Sequence, residues 1–281
     1  MKKDNILNGM KIVNLGYNLP GPLAAYRLEK LGASIVKVEP LQGDPLQVAS
    51  PEFYKFLTKK QKIIRLDLKT KKDKMTLDHY LKRTHLLITS SKLESLTRLR
   101  LDIKSLRRRF PKLCVLNIVG YASPFHNRTG HDLTYQAQTG LIHTPLMPTT
   151  CLADIAGANE ACLQSLMLLF ARKKHGRGGH VQVSLHGSLE LFTLPIRFGL
   201  TAANGPLGGT RADYNIYRAK NGWVAIALLE PHFQDQFKKQ LRLSRLTRKV
   251  LKATMLKRTA VAWQNWAKKH NLPIAAVAVR S

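Results

Sequence analysis

Three places in the chain carry acid–base side chains in loops beside glycine or proline: His131-Asp132 in TGHDLTYQAQTG, Asp154 in CLADIAGAN, and Glu230 in VAIALLEPHF. A histidine and carboxylates in such positions can give and take protons as general acids and bases. Each also has a structural use. Asp154 stands immediately before an apolar run and could cap the helix that follows, Glu230 before Pro231 could cap another, and His131 could be a hydrogen-bonded loop residue. The cysteines Cys114, Cys151 and Cys162 show no CxxC spacing, which argues against a zinc knuckle and for a reducing compartment. No Cys/His cluster has metal-ligand spacing, so the chemistry these residues suggest needs neither a metal nor a redox cofactor.

The elements that must position these loops alternate along the chain. Strands are expected at Lys11–Leu15, Ser34–Val38, Ile63–Leu66, Leu86–Thr89 and Cys114–Val119, with helices at about Pro22–Leu31, Lys72–Lys82 and Ile103–Phe110 between them. Such alternation predicts an α/β fold with a Rossmann-like parallel sheet and helices on its faces. Ligands in these folds sit outside the carboxyl ends of strands, which directs attention to Tyr17–Pro22, Lys69, Ser90–Arg98, Gly120 and Tyr121. No GxGxxG follows the first strand, which weakens a dinucleotide reading. A Gly- and Pro-containing loop then leads to a long apolar helix, about Ile155–Lys173 and ended by Gly176, a strand Val181–Val183 and a helix Ser184–Gly199. Asn204–Gly209 reads as a linker, dividing a large domain, 1–203, from a small α+β domain, 204–281. The small domain is expected to hold a hairpin, Tyr214–Arg218 with Trp223–Leu228, helices Pro231–Leu241, Thr247–Lys257 and Thr259–His270, and a strand Ile274–Val279.

With 281 residues, 44% of them hydrophobic, the chain can bury a full core. Its unusual property is charge: 46 Lys and Arg against 17 Asp and Glu give +29, and no acidic residue follows Asp235. The basic residues are dispersed, with clusters at Lys69–Lys74, Arg98–Arg109 and Arg172–Arg177, and no helix-turn-helix, zinc or RNP-type pattern accompanies them. We therefore read the excess as a solvated surface and expect no nucleic-acid partner. The N-terminal stretch meets Asn, Gly and Lys too early for a signal-peptide core, and the most apolar stretch, Cys162–Ala171, is far too short to span a bilayer. A cytoplasmic location is the expectation.

Several segments carry a resemblance. The opening LNGMKIVNLGYNLPGPLAAYRLEKLGASIVKVEPLQGDPL, then IIRLDLKT, then LFARKKHGRGGHVQVSLHGSLEL, are similar to the family III CoA-transferase superfamily. GHDLTYQA, LADIAG and GGTRADYNIYRAKNGWVAIALLEPHF resemble its α-methylacyl-CoA racemase branch. The resemblance implies a CoA-binding large domain, a small domain joined to it by two crossings, an interlocked homodimer and an acyl-CoA substrate. It also implies that His131 and Asp154 are the two catalytic bases, that Glu230 orients the histidine, and that Leu68, Lys69 and Arg98 contact CoA. Coenzyme A enters as part of the substrate.

The residue types suit that chemistry. Inverting a stereocentre α to a thioester needs one base on each face of the carbon, and the enolate oxygen needs donors, for which the helix N-terminus after Asp154 is the expected source. Arg98 is expected to clamp a CoA phosphate through a guanidinium fork. Transferases of the superfamily are expected to place a nucleophilic aspartate in a Gly-rich segment that corresponds here to Leu141–Thr150, which holds no acidic residue. Pro40 stands where relatives often have a phosphate-binding arginine. Typical members extend past the strand at Ile274 by a segment that returns to the large domain, and this chain stops at Ser281, so that segment is expected to be absent. A 2-methylacyl-CoA racemase is the leading expectation, with a CoA-transferase and a non-catalytic acyl-CoA-binding protein as alternatives.

Overall fold

The computed structural model describes residues 5–278. The chain divides into two compact units, Met1–Phe192 and Thr193–Ser281, a boundary that falls before the glycine-rich stretch at Asn204–Gly209. Within the second unit that stretch is folded back by Gly205 N–H to Ala202 O, Leu207 N–H to Leu200 O and Gly208 N–H to Gly205 O bonds, so it is a set of turns and not an extended linker.

The first unit holds strands β1 (Lys11–Asn14), β2 (Ser34–Glu39), β3 (Lys62–Arg65), β4 (Leu86–Thr89), β5 (Cys114–Val119) and β6 (His180–Ser184). They form one parallel sheet in the order β3-β2-β1-β4-β5-β6. Every residue of β4 and β5 is buried, as the central strands of a sheet covered on both faces must be, and this is why they appear in sequence as unbroken apolar runs. On one face pack α1 (Pro20–Lys30) and the long α8 (Leu152–His175), whose Ala24, Ala25, Ala158 and Ala161 have no exposed surface. On the other face, α4 (Lys71–Leu81), α5 (Leu93–Leu99) and α6 (Ile103–Arg109) deliver Leu77, Leu81, Leu96 and Leu106 to a second core. The short α2 (Pro45–Ala49), α3 (Pro51–Thr58) and α7 (Asp132–Gln138) complete this unit, and α9 (Glu190–Arg197) crosses the division. Chain order reverses between β1 and β4, which opens a crevice beyond their carboxyl ends.

The second unit, taken by itself, is an antiparallel sheet β7-β8-β9 (Tyr214–Arg218, Trp223–Ala227, Ile274–Ala276) with α10 (Pro231–Leu241), α11 (Arg248–Met255) and α12 (Ala260–Lys269). Trp263 centres its core and donates from Nε1 to Met255 O at 2.8 Å.

Four short helices, α2, α3, α5 and α7, stand where the sequence suggested loops. The expected helix Ser184–Gly199 is a single 3-10 turn, Gly187–Leu189, followed by the shorter α9. Of the strand expected at Ile274–Val279, Ile274–Ala276 forms the strand, Val277 N–H still donates to Trp223 O at 2.9 Å, and Val279 lies outside the described residues.

Candidate active site

The crevice at the strand-order reversal holds a cavity of about 350 Å³. Its wall is built from the loop after β1 (Tyr17, Asn18), the loop after β4 (Ser90 to Lys92), Gly120 after β5, the 126–131 loop and the first turn of α8. His131 and Asp154, distant in sequence, both line it.

Asp154 is not the helix cap that its place in the sequence suggested. Helix α8 starts at Leu152 with Cys151 in the cap position, and Asp154 sits inside the first turn. The capping is done from another element: Asp132 Oδ1 accepts the N–H of Ala153 at 2.7 Å and of Asp154 at 3.1 Å. Leu152 N–H goes to Thr150 O and Ile155 N–H to Cys151 O, so the opening turn has no donor left. The expectation that this helix N-terminus stabilises an enolate is thereby overturned, since a carboxylate already occupies it. The other oxygen of Asp132 accepts from Gln136 Nε2 at 2.6 Å, and that buried amide also donates to Thr150 O at 3.0 Å.

The carboxyl of Asp154 itself makes no hydrogen bond within the first unit. Burial, and secondarily the charge of Asp132, push its pKa from the ordinary 3.8 up to about 7. A group so placed can hold or release a proton near neutrality.

His131 occupies the cap position of α7, but its backbone does the capping. Its N–H donates to Thr134 Oγ1 at 3.0 Å and its carbonyl accepts from Thr134 N–H at 2.9 Å. The imidazole is exposed and lines the cavity. The loop is fixed from beneath by Tyr135, and two glycines make room for that ring. A Cβ on Gly120 would lie 2.4 Å from the phenol oxygen, and one on Gly130 would lie 2.4 Å from Cε1. Tyr121, expected among the ligand contacts, is instead buried beside Tyr135 with ring centroids 5.1 Å apart, and its hydroxyl donates to Gln138 Oε1 at 2.9 Å. Gly120 lines the cavity and Tyr121 supports it from behind.

A second cavity of about 380 Å³ adjoins the first, sharing Tyr17 and Ser91, and Leu68, Lys69 and Pro40 line it. Arg98 is in neither wall: it is exposed on α5 and donates to Ser95 Oγ of its own helix at 3.2 Å. Of the lysines and arginines that do line the first cavity, Lys92 falls within the Ser90–Arg98 stretch that the sequence pointed to, and Arg128 was not singled out.

Behind both cavities lies a cluster that the sequence also did not disclose. Lys37, at the end of β2, has no exposed surface and donates from Nζ to Asp44 Oδ2 at 2.7 Å and Gly16 O at 3.1 Å. Asp44 Oδ1 accepts Asn18 N–H and Leu46 N–H, both at 2.9 Å, which fixes the loop after β1 and starts α2. Glu39 lies 3.6 Å from Lys37 and accepts from the Tyr54 hydroxyl at 2.6 Å.

Glu230 belongs to the second unit. It precedes α10, where its carbonyl accepts from Phe233 and Gln234 N–H, while its exposed side chain caps nothing. Among the described residues no group of His, Cys, Asp and Glu could hold a metal ion, and no helix is long and apolar enough to cross a membrane.

A doubly wound parallel sheet with a crevice at its strand-order reversal defines a class of α/β folds that seat small molecules beyond the carboxyl ends of their strands. Within that class the chain belongs to CoA-transferase family III, whose model matches residues 7–279. It is 28% identical over 255 residues to the α-methylacyl-CoA racemase of Homo sapiens, covering 84% of this chain and 65% of that protein. It is 24% identical over 251 residues to the (R)-2-hydroxy-4-methylpentanoate CoA-transferase of Clostridioides difficile, covering 80% of this chain and 63% of that one. The chain thus spans just under two thirds of the length of these relatives. Among solved structures, a CAIB/BAIF family protein from Brucella suis superposes with a TM-score of 0.83 at 20% identity, covering 97% of this chain and 84% of that one. The expected fold is therefore the observed one.

Proposed function

We propose that the first unit binds an acyl-CoA thioester and moves the proton on its α-carbon, with His131 and Asp154 as the two bases. The observation that carries this reading is their meeting in one cavity, with Asp154 free of hydrogen bonds and pushed up to about 7. A two-base inversion needs one partner protonated while the other is free, and a carboxyl that titrates near neutrality serves in either state. Removal of the proton by one base places charge on the thioester oxygen. The donors for it are the N–H groups of Asp132 and Leu133, which open α7 beside His131 and have no acceptor in the first unit. Return of a proton to the opposite face by the other base completes the inversion. The adjoining cavity with Leu68 and Lys69 takes part of the CoA moiety.

Incubation with a 2-methylacyl-CoA in deuterated water with EDTA present should deuterate the α-position and erode optical purity. His131→Ala and Asp154→Asn should each lose on the order of 10²–10⁴-fold in exchange, with opposite preference for the two enantiomers. Equal mild losses for both enantiomers would sink the two-base reading.

A second reading has its own observation. The absence of an acidic residue from Leu141–Thr150 does not deprive a CoA-transferase of a nucleophile, because the unbonded Asp154 carboxyl lines the cavity. A nucleophile must be ionised, and a pKa of about 7 works against that below neutrality. Transfer of CoA to a free carboxylic acid with ping-pong kinetics, without α-deuteration, would favour this reading over the first.

A further inference from the structure

Asp132 follows a proposed base directly and reaches across to the other, yet neither proton step employs its side chain. Its two oxygens receive three N–H donors: the backbone of Ala153 (2.7 Å) and Asp154 (3.1 Å) on one, Gln136 Nε2 (2.6 Å) on the other. One side chain thereby ties the start of α7 to the start of α8, and so joins the segment carrying His131 to the segment carrying Asp154. The donors are also unevenly shared, since Asp132 takes all of them and the neighbouring Asp154 carboxyl takes none.

On the proton-transfer reading above, we propose that Asp132 is a positioning residue whose carboxylate pins the first turn of α8 and presents Asp154 to the cavity as the carboxyl free to exchange a proton. A negative charge held in that place repels a second one, so Asp154 keeps its proton longer than burial alone requires. The other groups around Asp154 are Lys92, His126, Arg128 and His131 on the cavity wall, the Tyr135 phenol, pushed up to about 12 chiefly by burial, and the Cys151 thiol, also raised chiefly by burial. None of these is a carboxylate. Asp132 is the acidic neighbour that acts on Asp154.

The test is Asp132→Asn, which keeps an oxygen for the Ala153 and Asp154 amides and removes the charge. Carbon-13 NMR of aspartate-labelled protein, without substrate, should show the Asp154 carboxyl midpoint falling from near 7 by on the order of one unit or more. The pH profile of α-proton exchange should move in the same direction. An unmoved midpoint in folded Asp132→Asn overturns the proposal. Should that variant not fold, Asp132→Glu decides: hydrogen exchange at the Ala153 and Asp154 amides accelerates at least tenfold if Asp132 pins this turn and is unchanged if it does not. A shifted midpoint in a protein with no exchange activity would leave Asp132 in its place and sink the racemase reading alone.

Discussion

At the end of β2, a lysine with no exposed surface is met by Asp44 at 2.7 Å, Glu39 at 3.6 Å and the Gly16 carbonyl at 3.1 Å. At the start of α8, two carboxylates come together with donors for only one of them. Both clusters sit at the same end of the sheet and both position loops of the same cavity, the first through Asn18 and the second through the α8 turn. In the first, Lys37 pairs with Asp44 and the loop after β1 is locked. In the second, like charges are left facing each other, and the molecule relieves the conflict by keeping a proton. Paired burial yields a frame, whereas unpaired burial yields a group with a proton to give.

The sharpest way to break this comparison is to unpair the first cluster. Lys37→Met leaves Asp44 buried without its cation and Glu39 with only the half-exposed Arg65 at 3.8 Å, and should cost roughly 3–5 kcal/mol of folding stability. Urea unfolding of the whole chain, followed by a probe in the first unit, measures it. A loss under about 1 kcal/mol would show that the cluster is incidental to the frame.

The second cluster should respond in the opposite sense. The folded protein keeps the Asp154 proton from about pH 4 to about 7, where an unfolded chain has already released it, so stability falls as pH rises through that window. Above it the penalty is fully present. Asp154→Asn removes the titrating group and should stabilise the protein by on the order of 2–4 kcal/mol at pH 8, with little effect at pH 4. The same substitution abolishes one proton step, so stability gained and activity lost would coincide at one residue. Destabilisation at pH 8 would contradict the account of Asp154 as an unrelieved buried acid.

The frame was far more legible in the sequence than the clusters on it. Leu86–Thr89 and Cys114–Val119 read directly as strands because both faces are buried, and His131 and Asp154 stood out as loop residues beside glycines. Two of the missed helices are short and bury little: α5 covers only Leu96, and α2 covers nothing. Too few apolar positions repeat in them to reveal a period. Asp132 and Ala153 are 21 residues apart and Lys37 and Gly16 are separated by 21, and nothing local in either stretch says that they touch. The one local signal was the i, i+4 spacing of Asp132 and Gln136. The family resemblance and the guanidinium type both pointed to Arg98, but its exposure on α5 is a property of packing that type does not encode.

The smallest effects should come from charges that belong to neither cluster, and they test whether the cavity wall or the general basic surface holds the phosphates of CoA. Both are exposed, but Lys92 lines the cavity, whereas Arg98 lies outside its wall and is engaged with Ser95. A screened, solvated cation contributes little to a distant anion, and a cation on the wall contributes about one charge-assisted bond. Lys92→Ala should therefore weaken CoA binding by about 1–2 kcal/mol at physiological salt, and Arg98→Ala by well under 1 kcal/mol. Calorimetric titration of CoA at low and physiological salt separates the two. Equal losses that both vanish with added salt would mean that the +29 surface attracts CoA without a specific contact at Lys92. A larger loss at Arg98 would mean that its guanidinium leaves Ser95 on binding and turns toward the ligand, and the division between wall and surface would then have to be redrawn.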